Sequence, residues 1–146
     1  MMDENLKRDI ILDHYQNPRN KGLVEGDDSY KQVHMASDSC IDDITVQVKF
    51  DGDIVKDARF DGVGCTIATS STSIFTERVI GLTIEEALHL INEYYNMIDE
   101  KAYDEDLLEE ANAFDTLSKQ ANRIKCGTIG VNALNKLLRE AQNNER

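Results

Sequence analysis

The chain has 146 residues, 40% of them hydrophobic, and 28 acidic residues against 16 basic ones give it a net charge of −12. That is enough apolar side chain for one core and too little for two, so the expectation is a single globular domain over residues 1–146. The charge repels phosphate backbones and anionic lipid, which argues against nucleic acid and membrane as partners and favours a basic protein surface. No run of about eighteen apolar residues suits a bilayer span, and MMDENLKRD at the start lacks the apolar centre of a secretory signal, so the expected compartment is the cytoplasm. Three cysteines are an odd count in a chain of this size, which favours reduced thiols or metal ligation over a disulfide framework.

Residues 4–15 place Leu6, Ile10, Ile11 and Tyr15 at helical spacing, and Pro18 ends the pattern by barring the residue before it from helix. The polar stretch HYQNPRNKG (14–22) and an acidic loop at 25–28 follow. His14, alone at a helix end, reads as a cap or a packed side chain, not as a member of a site. A weak strand is expected over 30–35, and then comes SDSCIDD (37–43), a cysteine among three aspartates. Ile44, Val46, Val48 and Phe50 alternate with Thr45, Gln47 and Lys49, the signature of a half-buried strand. Asp51-Gly52 then signals a hairpin pairing 44–50 with 54–60, with Ile54, Ala58 and Phe60 sharing one face. Such a hairpin brings the start of its first strand beside the end of its second. Cys40 and Asp42 are therefore expected near Gly64 and Cys65.

In FDGVGCTIATSSTS (60–73) the second strand ends, Gly62 and Gly64 make a corner, and Cys65 stands where a helix begins. Free N–H groups and the positive end of the helix dipole favour a thiolate there, whereas a plainer reading makes Cys65 a small buried hydrophobe. The helix from Thr66 is expected to end near Gly81, and Thr83-Ile84-Glu85-Glu86 reads as a capping box opening another. The apolar face of that next helix, Ala87, Leu88, Ile91, Tyr94, Tyr95 and Ile98, suits packing on the sheet. Residues 99–122 read as a charged insertion holding a short helix or two, with Asp104 to Glu110 a solvated face. In RIKCGTIGVNALNKLLREAQ, two adjoining rows, Ile129, Ala133, Leu137 and Val131, Leu134, Leu138, mark a final helix with Cys126 at its mouth.

Cys40, Asp42, Cys65 and Cys126 make a candidate four-coordinate site, three thiolates and a carboxylate, a set that suits tetrahedral zinc or the iron of an iron–sulfur cluster. Spacing alone does not single it out, because no CxxC is present. A thiol hydrolase or transferase built on a Cys-His pair would have to use His14, His34 or His89, and none accompanies a recognisable nucleophile motif.

HYQNPRNKG, FDGVGCTIATSSTS and RIKCGTIGVNAL, in that order and with a cysteine between the first two, resemble the IscU/NifU-like iron–sulfur cluster assembly scaffold family over nearly the whole chain. The likeness is closest to the SufU branch, because of the insertion at 99–122 and because Lys125 stands before the third cysteine where the IscU branch has a histidine. The resemblance implies an α+β fold, a small antiparallel sheet of about three strands with helices packed against it in a SufE/IscU-like sandwich. It implies Cys40, Asp42, Cys65 and Cys126 as metal ligands, with zinc or a transient iron–sulfur cluster as their occupant. It further implies a SufS-like, pyridoxal-phosphate-dependent cysteine desulfurase as sulfur donor and a downstream scaffold or apo-protein as recipient.

Within that family two roles are open, a scaffold on which a cluster is built and a zinc-bound carrier that relays persulfide sulfur with enzyme-like turnover. A third reading is a degenerate relative whose structural zinc supports a protein-interaction module. Cys40, on a loop, is the expected sulfur acceptor. Arg123 and Lys125, just ahead of Cys126, are candidates for stabilising thiolate and persulfide charge. The chain departs from the family at its first cysteine: the usual asparagine, proline, any residue, cysteine, glycine, aspartate is replaced by Ser37, Asp38, Ser39, Cys40, Ile41 and Asp42. Strand alternation sends Asp42 and Asp43 to opposite faces, so a shift of one residue would offer Asp43 as the carboxylate, and Asp38 is a third choice.

Overall fold

The computed structural model describes residues 2–37 and 41–144; Asp38, Ser39 and Cys40 lie outside the described residues. In chain order the elements are α1 (Glu4–Gln16), β1 (Tyr30–Ala36), β2 (Asp43–Asp51), β3 (Ile54–Val63), α2 (Thr66–Val79) and α3 (Ile84–Ile98). A short α4 (Glu105–Leu108), two 3-10 turns (Glu109–Phe114 and Leu117–Lys119) and the long α5 (Ala121–Asn144) complete them. The fold is α+β: one antiparallel sheet in the order β1-β2-β3, with α2 and α5 packed on it. Alternation in β2 sends Ile44, Val46 and Val48 into the core beneath those helices.

The hairpin forms as its sequence indicates, with Asp51 paired to Ile54 and Gly52 at φ 61° in a two-residue loop. Its inward face is not the expected one. Lys49 pairs with Asp57 but Phe50 pairs with Val55, so Lys56 is an extra residue and the alternation changes phase across it. Val55 is fully buried in line with Ala58 and Phe60, while Ile54 lies at the surface.

Two helices also face differently from expectation. In α1 the buried side chains are Lys7 and His14, whereas Leu6 and Tyr15 are 47% and 43% exposed. Lys7 Nζ lies 2.9 Å from an oxygen of Asp115, and His14 Nδ1 lies 2.8 Å from Ser73 Oγ, so each buried polar group has a partner. The capping box at Thr83 and Glu86 is present, but α3 packs mainly on α5, meeting the hairpin at its first residue, where the Ile84 N–H donates to the Asp53 carbonyl at 2.7 Å. Within 99–122, Leu108, Ala111, Phe114 and Leu117 are buried, while Asp104, Glu105, Asp106 and Glu109 stay in solvent.

Candidate metal centre

Asp42, Cys65 and Cys126 meet where the residue before β2, the N-terminus of α2 and the second turn of α5 converge, and one ligand atom from each lies within 4.8 Å of the others. The hairpin makes the first half of this arrangement. Asp43 pairs with Val63, which sets Asp42 against the Gly64-Cys65 corner. Gly62 has φ 129°, and a Cβ there would collide with the carbonyl oxygen of Asp43, so the strands close at this point only with glycine. Cys65 is then the N-cap of α2, its Sγ accepting from the Ala68 N–H at 3.4 Å. The Cys65 N–H donates to Asp42 Oδ1 at 2.9 Å, and Cys65 Sγ stands 3.9 Å from Asp42 Oδ2.

The second half depends on how closely α2 and α5 approach. Gly130 lies against Thr72 so tightly that a Cβ would overlap the Thr72 side chain, and the small residues around it let the two helix backbones draw together. That contact lies one helical turn along α5 from Cys126 and carries it toward Cys65. Cys126 is not at the mouth of its helix, as its sequence position indicated, but six residues in, and it is buried.

Asp42 is 1% exposed, and Asp43 turns the other way, its Oδ1 2.6 Å from Nε2 of the surface residue His34. Of the three aspartates considered, Asp42 is thus the one beside the sulfurs, Asp43 faces solvent, and Asp38 is outside the described residues. Cys40 also lies outside them. Its described flanks are tied together, since the Ser37 N–H donates to the Asp42 carbonyl at 3.0 Å. Ile41 and Val63 project at the edge of this corner, 67% and 61% exposed.

Burial, and after it hydrogen bonding to Asp42 and Cys65, pushes the Cys126 thiol well above the ordinary cysteine range. The Cys126 thiol therefore keeps its proton until a cation takes its place. Two sulfurs and a carboxylate, gathered before any ion arrives, fit a soft or borderline divalent metal such as zinc or ferrous iron.

Arg123 and Lys125 sit at the exposed start of α5. Arg123 is three residues before Cys126 and so on the same side of the helix. Lys125 borders a cavity of about 260 Å³ between the end of β1, at Met35 and Ser37, and α5, at Thr128, Ile129 and Asn132. The histidines lie elsewhere: His14 against Ser73, His34 against Asp43, and His89 exposed on α3. Gly130 and Thr72 set the meeting of the sulfurs and were not singled out from the sequence. The signal available was the spacing of Gly127 and Gly130 in one helix opposite the small residues 68–73 in another.

A model described as "NifU-like N terminal domain" matches residues 6–127. The zinc-dependent sulfurtransferase SufU of Bacillus subtilis is 42% identical over 134 residues, covering 91% of this chain and 89% of the relative. The iron–sulfur cluster assembly scaffold protein IscU of Streptococcus pyogenes is 36% identical over 137 residues, covering 92% of this chain and 83% of the relative. Among solved structures, one described only as a hypothetical protein superposes with a TM-score of 0.85 at 34% identity, over 94% of this chain and 99% of the other. The N-terminal part of a NifU-like protein from Brucella abortus shares the fold at 20% identity, with a TM-score of 0.81 over 96% of each chain.

Proposed function

The chain belongs to the NifU-like N-terminal domain family, and from that membership we propose that it acts in iron–sulfur cluster assembly as a zinc-bound acceptor and carrier of persulfide sulfur. The observation that carries this reading is the gathering of Asp42, Cys65 and Cys126 within one 4.8 Å cluster, two residues along the chain from Cys40. Cys40, Asp42, Cys65 and Cys126 would hold the ion. Zinc held there would keep the thiolates deprotonated, with Asp42 or Cys40 as the ligand most easily exchanged.

The sulfur-transfer step itself is thiol–disulfide chemistry. The Cys40 thiolate attacks the outer sulfur of a persulfide on a cysteine desulfurase, the sulfur–sulfur bond there breaks, and the desulfurase thiolate leaves as the Cys40 persulfide forms. Cys40 suits this role because it falls in the sequence between β1 and β2, whereas Cys65 and Cys126 are built into helices packed on the sheet. Asp42 accepts the Cys65 backbone N–H and so holds the corner while Cys40 reacts. Arg123 and Lys125 supply positive charge at the surface beside Cys126, where a persulfide anion is favoured by a neighbouring cation.

The donor is a pyridoxal-phosphate cysteine desulfurase of the SufS kind, and the recipient is a downstream scaffold or an apo-protein. The exchange is placed in the cytoplasm; among the described residues no helix is long and apolar enough to cross a membrane. Scaffold and carrier roles separate in one experiment. Mixed with such a desulfurase and cysteine, the protein should raise turnover strongly, and the peptide containing Cys40 should gain the mass of one sulfur, lost in Cys40→Ser. Unchanged turnover, or sulfur found on another cysteine, overturns the carrier reading. Visible cluster absorption after anaerobic addition of iron and sulfide, without stimulated turnover, would favour the scaffold role that the streptococcal relative's name records. A role as an interaction module alone, with only a structural zinc, is not favoured given the activities named for the relatives.

A further inference from the structure

Away from the sulfurs, His14, Glu77 and Glu110 form a second group whose ligand atoms lie within 4.8 Å of one another. They come from α1, α2 and the first 3-10 turn of the insertion. Glu77 is twelve residues beyond Cys65, roughly 18 Å along the helix, so this place is separate from the thiol centre. The imidazole is wholly buried and held in one orientation: Nδ1 is 2.8 Å from Ser73 Oγ, which also accepts the Arg19 backbone N–H at 2.9 Å. Nε2 is aimed at Glu110 Oε2 from 3.3 Å, longer than the roughly 2.8 Å of a tight charge-assisted bond. Acid outweighs base around it. Arg19 lies 2.7 Å from Asp13 and 3.9 Å from Glu77, and its charge also feels Glu110, so one guanidinium serves three carboxylates.

We propose that His14 Nε2, Glu77 and Glu110 bind one first-row divalent cation of the manganese, iron or zinc kind, fastening α1 and the insertion to α2. In that state Nδ1–H donates to Ser73 Oγ and leaves the Nε2 lone pair for the ion, a hydroxyl fixing the tautomer of a ligating histidine. The donors are one nitrogen and two carboxylates without sulfur, a set that manganese accepts and that sets this site apart from the thiolates.

Mn²⁺ titrated into the protein as purified, followed by loss of the free-ion EPR signal, should reveal one bound ion per chain. Cys65→Ser should leave that binding intact, and Glu77→Gln/Glu110→Gln should weaken it at least about tenfold. Both glutamates are partly exposed, at 45% and 42%, so the isosteric changes should fold, which melting in chelator checks. Should the double variant melt early, Glu77→Gln alone carries the same expectation. Excess Mn²⁺ should raise the melting temperature of the wild type by about 5 °C and leave the double variant unmoved. No bound Mn²⁺ in the wild type, or binding that survives the substitutions, overturns the proposal.

Discussion

Gly130→Ala tests how the sulfurs are brought together without touching any ligand. The added Cβ would overlap Thr72 Oγ1 and come to 2.7 Å from Thr72 Cβ and Cγ2, and Thr72 is fully buried on a helix packed against both the sheet and α5, so the side chain has no room to swing away. Overpacking of this kind costs about 1–3 kcal/mol. Alanine regains up to about 1 kcal/mol of helix propensity. The net expectation is a loss of about 1–2 kcal/mol in urea unfolding of the metal-free protein. The larger effect should fall on metal binding, because α2 and α5 must separate next to Cys65 and Cys126, and a displaced ligand weakens a preformed site about 10–100-fold. Zinc affinity is measured by competition with a chromophoric chelator. Thr72→Ala in the same chain removes Oγ1 and Cγ2 and should restore much of the affinity. If Gly130→Ala binds zinc as tightly as wild type, the close approach of these helices is not what forms the site.

Asp42→Ala should weaken zinc retention on gentle purification, whereas Asp43→Ala, which removes only a surface pair with His34, should retain it as wild type does; metal analysis of the two proteins distinguishes them. Because the folded-state pKa of Cys126 is raised, its thiol stays protonated at neutral pH without metal, so zinc binding there should release that proton. Calorimetry in buffers of different ionisation enthalpy should show the release, and affinity should fall as pH is lowered. Ser73→Ala strips the partner from buried His14 and from the Arg19 N–H and should cost about 2 kcal/mol in urea unfolding. Thr83→Ala removes one arm of the capping box on α3 and should cost about 1 kcal/mol, with zinc affinity unchanged.

The elements most legible in the sequence are those whose signals are local. The alternation of Ile44 to Phe50, the Asp51-Gly52 turn and the Thr83 to Glu86 box each fix a piece of backbone with neighbours only, and each is present. The adjacency of Asp42 and Cys65 was also legible, because a hairpin turn determines which residues face each other at its open end. What was not legible depends on distant partners. The inward face of α1 is set by Asp115 and Ser73, which let Lys7 and His14 be buried while leucines stay outside, and periodicity carries no trace of such pairs. The extra residue at Lys56 displaces Ile54 from the core without any glycine or proline to mark it. The position of Cys126 six residues into α5 follows from where that helix starts, and helix starts are poorly marked when no Ser, Thr, Asp or Asn caps them, as with Gln120 here.

The most direct measurement is zinc X-ray absorption on gently purified protein, wild type beside Cys40→Ser and Cys126→Ser. One zinc per chain should appear, with about three sulfurs near 2.3 Å and one lighter ligand, and each serine variant should lose one sulfur from that shell. A metal surrounded only by nitrogen and oxygen, or a sulfur count that neither substitution changes, would contradict a centre built on these cysteines.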